Sequence, residues 1–147
     1  MCIRDSNILV PELSVRDCET SKAFYCDVLG FEVRYARPEE GFCYLERDGA
    51  ELMLDQIGLG RDFDDYLPKQ HPFGRGVNLQ ILMKDVTTLA NSCVVAGVAL
   101  YLPLEERWYR KDQEEVGNKQ FVVADPDGYL LRFFEDMGTR LLNDHRN

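Results

Sequence analysis

The chain has 147 residues, the size of one domain or of two very small fused modules. Its 45% hydrophobic and 29% charged residues are ordinary globular composition, and no run reaches the roughly 18 apolar residues of a membrane helix. With 17 Lys and Arg against 26 Asp and Glu, the net charge is −9, which argues against nucleic acid and suits a cationic or neutral small ligand.

The first residues, MCIRDS, contain one Arg, no apolar core of a signal peptide and no strand or helix pattern, so residues 1–7 read as a tail. Ile8 to Arg16 is strand-like and stops at Asp17. Ala23, Phe24, Val28 and Leu29 then recur at helical spacing and predict a helix over residues 18–29, with Gly30 as its C-cap. The Phe24–Tyr25 pair reads as core. FEVRYA follows as a strand, and FCYLERDGAELMLDQ as two strands joined by a turn at Asp48–Gly49, a strong hairpin signal. Residues 57–76, rich in Gly, Pro and Asp, read as a linker. Its Phe73 is a candidate contact to a partner's groove, and Gly74 and Gly76 make a turn rather than a phosphate loop.

The same order then returns. Val77 to Lys84 is strand-like and stops at Asp85. Val86, Leu89, Ala90, Cys93 and Val94 carry helical spacing as far as Gly97, and VALYL follows. KQFVVADPDGYLLRFFED repeats the hairpin, with its turn at residues 125–128. Between these strands, the charged stretch LPLEERWYR holds the only Trp. It reads as a connection in which Trp108 and Tyr109 form either a lid or wall of a ligand groove, or a clasp on the sheet edge. The chain is therefore a duplicated βαβββ unit: module one 8–56, linker 57–76, module two 77–136 and a tail 137–147. The predicted fold class is α+β, a curved, mixed and mostly antiparallel sheet around a cleft, with helices on one face.

Strand alternation separates two faces. Leu13, Val15, Cys43, Leu45, Leu52, Leu54, Leu79, Ile81, Met83, Leu131 and Phe133 are expected under the helices. The opposite face carries Val10, Glu12 and Ser14; Phe42, Tyr44 and Glu46; Glu51, Met53 and Asp55; Asn78, Gln80 and Leu82; and Leu130, Arg132 and Phe134. Polar and aromatic groups mixed in this way suit a ligand cavity. The five cysteines (2, 18, 26, 43 and 93) are odd in number and lack a CxxC pair, so neither a disulfide framework nor a zinc knot is expected, and a reducing cytoplasm is the expected location. His71 and His145 fall in the linker and the tail, so no Ser/His/Asp or Cys/His constellation can be assembled.

Three features together carry a family resemblance: VPELSVRD followed by KAFYCDVLGFEV, the ending DPDGYLLRFFE, and the duplication itself. The chain resembles the vicinal oxygen chelate superfamily, which includes glyoxalase, extradiol dioxygenases, fosfomycin resistance proteins and bleomycin-binding proteins. The resemblance covers residues 8–136. It implies metal ligands, His or Glu, on the first, fourth, fifth and eighth strands, at positions that hold Val10, Met53, Asn78 and Arg132 here. Valine has no donor atom, a thioether is too soft for hard cations, a guanidinium repels them, and one Asn cannot hold a catalytic metal. Glu51 and Asp55, flanking Met53, are the only candidates for a displaced site, and neither metal nor cofactor is expected.

The resemblance then points to the bleomycin-binding members, which catalyse nothing and form dimers whose grooves sequester the drug. Pro11 matches their first-strand proline, six residues before Asp17, although an edge proline would look the same. Their stacking Trp precedes the glycine leading into strand seven. Val116 stands there, before Gly117, leaving Trp108 as the candidate replacement. The expected function is sequestration of a cationic aromatic antibiotic, or a similar small molecule, by a homodimer. Glu12, Phe42, Tyr44, Glu51, Met53, Asp55, Asn78, Trp108, Tyr109 and Arg132 are its candidate ligand-binding residues, with Glu46 on the same face. A metal-dependent lyase, isomerase or dioxygenase of the same superfamily is one alternative. A binder of a small anionic metabolite held by Arg132 is another.

Overall fold

A computed structural model describes residues 7–60, 67–68 and 70–142. Residues 1–6, Cys2, residues 61–66, Lys69 and the final segment with His145 lie outside the described residues. The fold class is α+β. The elements are β1 (Glu12–Val15), α1 (Cys18–Ala23), β2 (Glu32–Arg37), β3 (Phe42–Arg47), β4 (Ala50–Gln56), β5 (Asn78–Leu82), α2 (Val86–Val95), β6 (Leu100–Lys111), β7 (Glu114–Ala124) and β8 (Leu130–Leu141). They form two four-stranded mixed sheets of the same topology, β1-β4-β3-β2 and β5-β8-β7-β6. In each, the first strand pairs parallel with the last and the other pairs are antiparallel.

The duplicated aspartates start the two helices by the same chemistry. Asp17 accepts from the Glu19 N–H (3.2 Å) and the Thr20 hydroxyl (2.7 Å), and Asp85 from the Thr88 N–H (3.1 Å) and hydroxyl (2.7 Å). The helix expected over residues 18–29 is α-helical only to Ala23. Phe24–Val28 is a π-helical turn, in which the Leu29 N–H reaches back five residues to the Phe24 carbonyl (3.2 Å). The wider turn seats both Tyr25 and Leu29 in the core, each 0% exposed.

In the first unit, Leu13, Val15, Cys43, Leu45, Leu52 and Leu54 form the buried layer under Cys18, Tyr25 and Leu29. In the second, Ile81, Met83, Phe121, Val123, Leu131 and Phe133 pack with Val86, Leu89, Ala90 and Cys93 of α2, and Phe121 stacks on Phe133 at 5.6 Å. Each large aliphatic or aromatic side chain so buried contributes roughly 1.5–3 kcal/mol. Leu79, expected in this layer, is only half-buried.

Further boundaries differ from the sequence expectation. LPLEERWYR is not a connection but the body of β6, paired with β7 from Leu100 to Lys111. The register shifts around residues 100–105 accommodate Pro103 on this edge strand. Twelve strand residues span about 40 Å, whereas the ten residues of α2 span about 15 Å. Much of the hairpin therefore lies beyond the helix and takes charged residues on both faces, which hides its alternation. β8 likewise continues to Leu141, where it pairs with Glu114, past the expected module end at residue 136.

The third difference concerns the β7–β8 turn. The chain divides into two compact units, and Asp125–Tyr129 belong with the first, which otherwise runs through Gly76, while Val77–Ala124 and Leu130 onward form the second. Asp127 pairs with Arg16 (2.6 Å) and accepts from the Ser21 hydroxyl (3.2 Å), Asp125 accepts from the Tyr25 hydroxyl (2.7 Å), and the Tyr129 hydroxyl donates to the Ser14 carbonyl (2.8 Å). Gly128 closes the turn at φ +94°, a conformation that glycine adopts without strain, and a Cβ there would meet the Pro72 Cα at 2.6 Å. Phe73 is 6% exposed in this unit, edge-on to Tyr129, rather than presented at the surface.

Candidate ligand-binding faces

Each sheet packs one face against its helix and turns a polar face away. In the first unit that face carries Glu12 from β1, Phe42, Tyr44 and Glu46 from β3, and Glu51, Met53 and Asp55 from β4. Glu12 and Tyr44 both pair with Met53, Phe42 with Asp55 and Glu46 with Glu51. From β2, Glu32 pairs with Glu46, Tyr35 with Tyr44 and Arg37 with Phe42, and Arg34 is the extra residue of a bulge between Val33 and Tyr35. The face thus groups Glu12, Glu32, Glu46, Glu51 and Asp55 with Arg34 and Arg37.

Its aromatic wall is an interior layer. Phe42 is 5% and Tyr44 2% exposed, whereas Tyr35, stacked on Tyr44 at 5.2 Å, is 47% exposed and forms the outer ring. Arg37 lies 4.1 Å from the Phe42 ring centroid and Arg34 5.6 Å from that of Tyr44. Glu51 accepts from the Tyr44 hydroxyl (2.6 Å) and the Asn7 N–H (2.9 Å) and pairs with Arg34 (2.8 Å). Burial pushes its carboxyl up, but these donors together hold it below its ordinary value. Asp55 is 7% exposed. Glu12 is exposed and Glu46 half-buried, its carboxylate accepting from the Gly49 N–H (2.9 Å).

In the second unit the polar face groups Asn78 and Gln80 from β5, Arg132 from β8, Gln120 from β7, and Glu105 and Tyr109 from β6. Gln80 and Val122 pair with Arg132, and Gln120 pairs with Glu105. Gln120, 2% exposed, donates from Nε2 to Glu105 (2.9 Å) and to the Tyr109 hydroxyl (2.8 Å). Arg132 Nε is buried without a hydrogen-bond partner among the described residues. Trp108 and Tyr109, expected together as a groove lid or wall or as a clasp on the sheet edge, are neighbours on β6 and so point to opposite faces. Tyr109 joins the polar face. Trp108 sits across from Gly117 on the other side of the sheet.

This geometry tests the metal positions that the resemblance implies. In the first unit Glu12, five residues before Asp17, is the register partner of Met53, and in the second Gln80, five before Asp85, is that of Arg132. Val10, Asn78 and these pairs supply one carboxylate, one thioether, two amides and a guanidinium. That donor set does not fit a catalytic divalent cation. Among the described residues, no three His, Cys, Asp or Glu side chains gather to hold a metal, and Glu51 and Asp55 are no exception.

The sequence profile of the Glyoxalase/Bleomycin resistance protein/Dioxygenase superfamily matches residues 7–98. The chain belongs to this superfamily. A glyoxalase/bleomycin resistance protein/dioxygenase superfamily member from Vibrio splendidus 12B01 is 41% identical, with 87% of this chain and 97% of that chain covered and a TM-score of 0.39. TioX from Micromonospora sp. ML1 is 19% identical at a TM-score of 0.68, covering 89% of this chain and 100% of its own. A lactoylglutathione lyase from Agrobacterium tumefaciens is 17% identical at a TM-score of 0.59, covering 90% of this chain and 96% of its own. The last two share the fold. No curated protein matches the chain significantly.

Arg34, Glu105 and Gln120 are not among the residues expected on these faces. The alternation in KQFVVA carried a signal for Gln120, since it falls on the face opposite Phe121 and Val123. Arg34 gave none, because a bulge placed it.

Proposed function

We propose that the protein is a non-catalytic member of the superfamily that binds and sequesters a small cationic aromatic molecule of the bleomycin type. The observation that carries this reading is the donor set at and around the positions where the resemblance implies a metal, Val10, Met53, Asn78 and Arg132. Met53 stands beside Glu12, and Arg132 beside Gln80. The ligand's charge is argued from the first unit, whose polar face sets five carboxylates against Arg34 and Arg37. A concave surface of low dielectric would focus that excess. Binding tight enough for sequestration requires a dissociation constant of about micromolar, near −8 kcal/mol. We further propose a homodimer, since each small sheet ends in edge strands that another chain could cover.

A second reading rests on Arg132. Its buried, unpartnered Nε favours a ligand that brings an anionic group to the second unit, as a small carboxylate or phosphate metabolite would. Titrating copper-free bleomycin and a matched anionic aromatic at low and high salt separates the two. The proposal expects the cation to bind and to weaken with salt. Stronger binding of the anion, abolished by Arg132→Ala, overturns it. Stoichiometric metal that resists mild chelation would overturn both readings. Sedimentation as a 17.0 kDa species at micromolar concentration would reject the dimer.

A further inference from the structure

Cys18, the first residue of α1, and Cys43, in the middle of β3, meet in the core of the first unit with their sulfurs 3.7 Å apart. Neither is bonded to another cysteine. Cys18 keeps 4% of its surface exposed and Cys43 1%, so Cys18 is the less buried residue of the two. Lys22, one helical turn after Cys18, brings positive charge to both thiols. The half-buried Cys26 follows one turn later. Among the described residues, no polar group other than the partner thiol hydrogen-bonds to either sulfur.

We infer that Cys18 and Cys43 are an oxidisable pair that closes to an intramolecular disulfide when the protein meets a hydroperoxide. A disulfide requires about 2.05 Å between the sulfurs. The helix start and the strand must therefore approach by roughly 1.7 Å, or the side chains must turn by a comparable amount. The two thiols are not equivalent. Their mutual hydrogen bond holds Cys18 below its ordinary value, whereas the same bond together with burial drives Cys43 far up. Cys18, the less buried of the two and one helical turn from Lys22, is assigned as the attacking thiolate, and Cys43 as the thiol that follows.

The Cys18 sulfur attacks the distal peroxide oxygen. The O–O bond breaks, a Cys18 sulfenic acid forms, and the departing alkoxide takes a proton to become an alcohol, or water when the oxidant is hydrogen peroxide. The Cys43 sulfur then attacks Cys18 as its own proton leaves. The sulfenic hydroxide departs with that proton as water, and the S–S bond closes. Two thiols lose two electrons in total, and one peroxide bond gains them.

Hydrogen peroxide on the purified full chain, followed by alkylation and non-reducing peptide mapping, tests the pair directly. Trypsin cleaving at Lys22 and Arg34 separates Cys18, Cys26 and Cys43 into three peptides. We expect one cross-linked pair, Cys18 to Cys43, two hydrogens lighter than its parts and reversed by dithiothreitol. Cys26→Ser should retain it. Cys43→Ser should accumulate a Cys18 sulfenic acid that dimedone traps, while Cys18→Ser should give no such adduct at Cys43. If the Cys18→Ser and Cys43→Ser variants do not fold, the wild-type and Cys26→Ser maps decide the matter alone. A disulfide through Cys26, sulfinic acid on Cys18 beside an intact Cys43 thiol, or oxidation of Cys26 with the pair left reduced would each overturn the assignment.

Discussion

Arg140 lies over the indole of Trp108, its guanidinium carbon 3.9 Å from the ring centroid. A salt bridge to Glu115 at 2.9 Å holds the arginine there. Gly117, the register partner of Trp108, leaves the room the ring needs, since a Cβ on it would come within 2.7 Å of the ring carbons. The tryptophan thus reaches this glycine from across the hairpin rather than from the preceding residue. It clasps β6, β7 and β8 together.

Gly117→Ala should therefore destabilise the protein by about 1–3 kcal/mol through overpacking. Urea unfolding gives the stability, and the emission of the single tryptophan should shift to the red as the ring is displaced. Unchanged stability with unchanged emission would show that the ring does not depend on this space.

Asp125 predicts a pH effect. Burial, the largest influence, outweighs the hydrogen bonds from Tyr25, Tyr129 and Asp127 and raises its carboxyl from 3.8 to about 6. The folded protein therefore holds this proton more tightly than the unfolded chain. The group's contribution is greatest below about pH 4, declines from there to about pH 6, and is absent above. Its full amplitude is at most about 3 kcal/mol. Asp125→Asn does not titrate, so the stability difference between variant and wild type should move in the variant's favour as pH rises from 4 to 6. A difference that is flat over that range would reject the assignment.

Arg132→Met supplies a third prediction. It places the first unit's residue, Met53, at the equivalent position of the second and removes a buried Nε that has no partner. An unsatisfied buried donor costs about 1–3 kcal/mol, part of which the exposed remainder of the side chain has already avoided. The variant should be as stable as the wild type or more stable by about 1 kcal/mol, as read by thermal and urea unfolding. A loss exceeding about 1 kcal/mol would mean that the guanidinium has a structural partner.

The sequence by itself determined the duplication, the order of the elements, the two helix-starting aspartates, the hairpin turns and nearly all of the buried layer. These depend on local chemistry: periods of two and of 3.6 residues, capping oxygens, and Asp-Gly turns. The sequence also showed that Val10, Met53, Asn78 and Arg132 are poor metal ligands, because donor chemistry belongs to the residue type. Only the tertiary structure decided the rest. A bulge brings Arg34 onto Tyr44 and Glu51, although no spacing in the chain marks it. The aromatic wall of Phe42 and Tyr44 is closed by β2 rather than open, since what covers a face depends on the neighbouring strand. Trp108 and Tyr109 part to opposite faces because a strand replaces the expected connection. Cys18 and Cys43, 25 residues apart, meet only because α1 packs on β3. Each of these depends on contacts between distant segments, to which a local period is blind.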